Sequence, residues 1–77
     1  MWIRTQKKDA VVNVVAFNAV KGALRGRKGI IYATFAGASE LNSMVIGEYE
    51  TLDDALTEID NIENAIIENP STVYQLK

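Results

Sequence analysis

Catalysis by this chain would have to run on carboxylates, hydroxyls, lysines and tyrosines, because its 77 residues include no histidine and no cysteine. That removes the usual general base, the usual soft-metal ligands and one of the usual nucleophiles. The densest group of the remaining candidates is the segment TLDDALTEIDNIENAIIENP, residues 51–70, which carries Asp53, Asp54, Glu58, Asp60, Glu63 and Glu68 and no basic residue. Asp60 and Glu63 stand three apart and, on a helix, could both reach one cation. A hard cation needs about six oxygens, however, and no loop with Asp, Asn and Gly at ligand spacing accompanies them. A solvated helix face explains the same residues. The glycines of KGALRGRKG, residues 21–29, match neither the Walker spacing nor a dinucleotide fingerprint. NPST at 69–72 is not a glycosylation acceptor, since proline follows the asparagine. The expectation is a protein that is not an enzyme and takes no cofactor or metal.

Charge is the feature that stands above background. Seven of the eight basic residues, Arg4, Lys7, Lys8, Lys21, Arg25, Arg27 and Lys28, precede Gly29, where the single acid is Asp9; nine of the ten acids follow it, opposed by Lys77 alone. The first part therefore carries +6 and the remainder −8, for a net −2. Lys21, Arg25, Arg27 and Lys28, on a loop opened by Gly22, Gly26 and Gly29, are the candidate phosphate contacts, and they support a reading as a small nucleic-acid-binding accessory protein. Against it stand the acidic overall balance and the lack of an interleaved aromatic for base stacking within the loop. The acidic segment could conversely imitate a phosphate backbone, although here too a solvated face accounts for it.

These groups are positioned by elements that the sequence marks out. WIRTQ (2–6) and AVVNVVA (10–16) flank the polar step Lys7-Lys8-Asp9 and read as two strands joined by a tight turn, the second dense in β-branched valine. Residues 11–24 also fit a helical period, but the valines favour strand, with a further extended segment over 17–24 kinked from the second near Ala16. GIIYATFAG (29–37) and MVIGEYE (44–50) are expected to pair as antiparallel neighbours across a polar linker containing Ser39, Glu40, Asn42 and Ser43. Thr51 is a good N-cap, with Asp54 in capping-box position and Asp53 and Asp54 complementing the helix dipole, so a helix starts at Leu52. Leu52, Ala55, Leu56, Ile59, Ile62 and Ile66 make its apolar face, and Asp53, Thr57, Glu58, Asp60, Asn61, Glu63 and Asn64 its wet one. Asn69-Pro70 ends it, because the residue before proline disfavours helical geometry. TVYQL (72–76) reads as a last short strand.

With these segments in place, the chain resembles a family of small uncharacterised proteins of Gram-positive bacteria and their phages. The resemblance rests on WIRTQ at Trp2 to Gln6, VNV at Val12 to Val14, GEYETLDDALTEIDNI at Gly47 to Ile62, and VYQ at Val73 to Gln75. It covers both ends of the chain and fades between about Asn18 and Ser43. It implies an α+β fold and a bacterial or prophage setting, and brings no activity, cofactor or catalytic residue with it.

The expected architecture is one small α+β domain over residues 1–77: an antiparallel sheet of about four to six strands packed on one C-terminal helix, with a final short strand after it. A hydrophobic content of 48% argues for a folded chain. At this length the core is near the lower limit for folding alone, which favours a partner subunit. The apolar runs, such as residues 29–38, are too short to span a bilayer, and the N-terminal residues do not form a signal, so a cytoplasmic location is expected. The functional expectation is a non-enzymatic protein-interaction module that pairs with itself as a homodimer, or with another protein. Trp2, Phe17, Phe35 and Tyr49 are the candidate interface anchors, because buried aromatics carry most interface energy.

Overall fold

The computed structural model describes residues 1–22, 28–36 and 41–77. Five strands and one helix follow in the order β1 (Trp2–Arg4), β2 (Val11–Lys21), β3 (Gly29–Ala36), β4 (Leu41–Tyr49), α1 (Leu52–Glu68) and β5 (Tyr74–Gln75). They form a single mixed sheet of order β4-β3-β2-β1-β5 with the helix on one face, which is the α+β arrangement expected. Four strands pair antiparallel in hairpin succession; β5 returns after the helix and joins β1 in parallel, with Ile3 opposite Tyr74 and Arg4 opposite Gln75.

The helical period of residues 11–24 loses to β-branching: β2 is one strand of 11 residues, and the expected kink is a bulge between Val14 and Ala16. Leu24 lies outside the described residues, as do Gly37 to Glu40. A second irregularity falls between Gly47 and Val45 of β4, opposite Ile31 and Tyr32, and the extra residue there, Ile46, is buried. Bulges increase twist and bend the bulged strand. The sheet coils far enough that the amide of Gln6, just past β1, donates to the Ile46 carbonyl of β4 at 2.9 Å, although β2 and β3 lie between those strands in pairing order. The Gln6 side chain continues this closure, donating to the Glu48 carbonyl at 3.1 Å and accepting from the Glu48 amide at 2.9 Å.

Strand β4 starts earlier than its apolar pattern suggests, and Asn42 and Ser43, expected in a linker, are part of it. Ser43 sits opposite Thr34 with the two hydroxyls 3.4 Å apart.

The helix runs between the expected ends. Thr51 is extended and its hydroxyl accepts from the Asp54 amide at 3.0 Å; at the other end the Asn69 amide donates to the Ala65 carbonyl. Its start is pinned to the sheet by Gly29, where a Cβ would lie 2.8 Å from the Thr51 carbonyl carbon and 3.0 Å from Leu52 Cα. Ala55 and Ile62 enter a core with Ile3, Val14, Ile31, Ala33, Ile46 and Leu76. The helix departs from its expected faces at two positions. Leu56, expected inside, is exposed, whereas Glu58, expected in solvent, is 3% exposed. The helix lies over β2, β3 and β4 with Ala55, Glu58 and Ile62 at its buried centre, and the carboxylate is accommodated by polar partners brought in by the C-terminal segment.

Candidate functional site

Alternation fixes the two faces of the sheet. Ile3, Val14, Ile31 and Ala33 point to the core, so Trp2, Arg4 and, through the register, Val11 and Asn13 point away from the helix. No element of the described residues covers that outer face. On it Trp2 is 50% exposed, Val11 47% and Val15, at the bulge, 60%. Val73, just before β5 and outside its pairing with β1, is 50% exposed as well, but it lies with Ala65, Glu68, Asn69, Thr72 and Tyr74 around a pocket at the C-terminal end of the helix. The result is an apolar strip, Trp2–Val11–Val15, crossing from β1 to β2 and interrupted by Arg4 and Asn13. Large apolar side chains grouped in this way, rather than scattered singly, mark interaction surfaces.

The four aromatic anchors named from sequence separate here. Trp2 lies in the strip. Phe17 and Tyr49 pack against the core, and Phe35 is half-buried opposite Val14 in the β2–β3 register. The sequence reading missed Val11 and Val15. Their signal was present in AVVNVVA, which is apolar on both alternating faces, whereas a strand with one wet face alternates with polar residues.

Of the candidate phosphate contacts, Lys21 and Lys28 are exposed at the mouth of the β2–β3 connection, where the Gly22 amide donates to the Lys28 carbonyl at 3.3 Å. Arg25 and Arg27 lie outside the described residues. Asp60 and Glu63 are both exposed, and among the described residues no group of three or more acidic side chains is placed to hold a metal ion.

A second, polar constellation was not visible in the sequence. Glu58 accepts three hydrogen bonds: from Asn61 Nδ2 at 2.8 Å, from the Tyr74 hydroxyl at 3.0 Å and from the Lys77 amide at 2.7 Å. The Lys77 carbonyl in turn accepts from the Tyr49 hydroxyl at 2.9 Å and from Gln6 Nε2 at 3.2 Å. The Leu76 amide donates to the Arg4 carbonyl and Gln75 Nε2 to the Thr5 carbonyl, while Leu76 itself is buried against Gly47, where a Cβ would meet its Cδ2 at 2.8 Å. Burial, the hydrogen bond to Glu58 and the charge of that carboxylate push the Tyr74 phenol up to about 12. Burial first, then the nearby Glu58 charge and Tyr74, push Tyr49 up further. These groups are mutually satisfied, and no buried side-chain polar atom of the described residues lacks a partner. The constellation seats the C-terminal segment in a groove between β1, β4 and α1.

No family model matches the chain, and neither a curated protein nor a solved structure is similar to it at a significant level. Among the described residues no helix is long and apolar enough to cross a membrane.

Proposed function

We propose that the protein is a non-enzymatic interaction module of bacterial or prophage origin, acting in the cytoplasm, whose partner is a second copy of itself. The observation that carries this reading is the uncovered apolar strip Trp2–Val11–Val15 on the outer face of the sheet. Among the described residues one helix serves five strands and one sheet face is left without a layer, which a two-fold related copy supplies with the same residues on both sides. The absence of histidine and cysteine from the sequence supports a role without catalysis. Trp2 is the sole tryptophan, so its fluorescence reports this surface directly. Sedimentation equilibrium of the wild type should give a mass that rises with concentration, accompanied by a blue shift of Trp2 emission. Val15→Glu, a change at an exposed side chain, should abolish both while leaving the circular dichroism spectrum intact. A single monomer mass up to near-millimolar protein would overturn the proposal.

A second reading is favoured by one observation, the exposure of Lys21 and Lys28 together at one turn. In it the protein is a small nucleic-acid-binding accessory that contacts phosphates with this turn. Its affinity for DNA or RNA would then fall steeply with salt. No retention on nucleic acid at low salt removes it.

A further inference from the structure

We infer that the groove holding residues 74–77 also receives the same segment from a second copy of this chain, so that two chains associate by exchanging their C-terminal strands. This rests on the self-association proposed above and specifies how part of it is made. The groove is built for an extended segment with a buried leucine. Arg4 and Thr5 offer carbonyls along the β1 edge, Glu58 receives a hydroxyl and an amide, and Gly47 leaves room for the Leu76 side chain. An empty groove is costly. Glu58 is 3% exposed and would lose two of its three donors, and the Leu76 contacts would be forfeited. The segment is nonetheless held to the domain by a thin connection: residues 69–73 are all exposed, and among the described residues their backbone hydrogen bonds are the cap from Asn69 and one turn bond from Thr72 to Asn69. Strand β5 itself is two residues long and, among the described residues, pairs with β1 alone. The contacts that hold the segment therefore lie in the groove, and the connection can be redirected without breaking them.

An identical segment from another chain meets each of these partners in the same geometry, so exchange conserves every contact and alters only the course of residues 69–73. The exchange is reciprocal and closes as a two-fold dimer.

The chain contains no cysteine, which permits a direct test. Arg4→Cys and Gln75→Cys, register partners across β1 and β5, are made in separate chains, mixed at high concentration, incubated and oxidised. Exchange predicts a disulfide-linked heterodimer whose yield rises with concentration and exceeds that of a control pair, Arg4→Cys with Asp53→Cys on the exposed face of the helix. Both substitutions in one chain should close an internal disulfide at low concentration, which shows that the cysteines are tolerated and within reach. Independently of any substitution, an equal mixture of isotope-labelled and unlabelled wild-type chains should show intermolecular nuclear Overhauser contacts between Ile3 and Tyr74. Cross-linking no better than the control and no such contacts, in a sample that sediments as a dimer, would overturn exchange and leave self-association standing. A sample that is monomeric throughout and does not cross-link would overturn both.

Discussion

Removing the Glu58 carboxylate should cost this domain a large share of its stability. In Glu58→Ala the Tyr74 hydroxyl and the Lys77 amide lose their acceptor, and Asn61 loses its side-chain partner. Hydrogen bonds to a charged group contribute about 1.5–3 kcal/mol each. Three of them are offset by the cost of holding a carboxylate out of water and by the access that half-buried Tyr74 and Asn61 retain to solvent, which brings the expected net loss to about 3 kcal/mol. A chain of 77 residues has in total about 4–12 kcal/mol at typical values per residue. In urea, with a slope of about 1 kcal/mol per molar for so small a domain, the midpoint should fall by about 3 M. Tyr74→Phe, which removes one donor and leaves the carboxylate two, should lose about 1 kcal/mol. Glu58→Gln should fall between them, since its amide oxygen keeps part of the acceptor capacity. If Glu58→Ala unfolds within about 0.5 kcal/mol of the wild type, the range of a neutral surface change, the C-terminal segment is not held by these bonds.

Lys8 occupies the left-handed region at φ 64° in the β1–β2 turn. Lys8→Gly should therefore raise stability by about 0.5 kcal/mol, the relief of side-chain strain exceeding the added freedom of the unfolded chain, as a shift in thermal midpoint would show. Gly29→Ala drives a methyl into the backbone of Thr51 and Leu52, which cannot rotate aside, and should cost about 2 kcal/mol or more by denaturant melting. Alkali supplies the last perturbation. The Tyr74 phenol is raised from 10.0 to about 12 in the folded state, so its contribution to stability is fully present below pH 10 and is lost as pH rises through 12. Tyrosinate absorbance should show Tyr74 and Tyr49 ionising above the range of an exposed tyrosine, together with a falling denaturant midpoint.

The helix was legible because its signals are local. Thr51 supplies the cap, Asp53 and Asp54 the first turn, and Asn69-Pro70 the stop, and each acts within four residues of the boundary it sets. Strands β2 and β3 were legible for the same reason, through their β-branched residues. Asn42 and Ser43 belong to β4 although polar residues on an edge strand look like a loop until their cross-strand partners are known. Glu58 was placed in solvent because helical periodicity grades a position by its residue type. Its burial depends on Tyr74 and Lys77, 16 and 19 residues away, which reach it only once the chain has turned back beside β1. Of the candidate site, Trp2 was legible as an anchor, whereas the sheet face that exposes it with Val11 and Val15 follows from register, which composition does not encode.

The parallel pairing of β1 with β5 also bears on the order in which the molecule assembles. The Gln75 side chain reaches the Thr5 carbonyl across 70 positions of sequence, and the Gln6 side chain reaches Lys77 across 71. Antiparallel β2, β3 and β4 can zip locally through short connections, but the first strand acquires its second neighbour only after a loop spanning nearly the whole chain has closed. That closure entropy must be met before the contacts it permits are gained, which puts completion of the sheet late, after the locally connected strands have paired. Contacts formed after the rate-limiting barrier govern how fast a protein unfolds rather than how fast it folds. The C-terminal segment thus acts as a latch on the lifetime of the native state, and how tightly it is set determines how often β1 is left with an open edge.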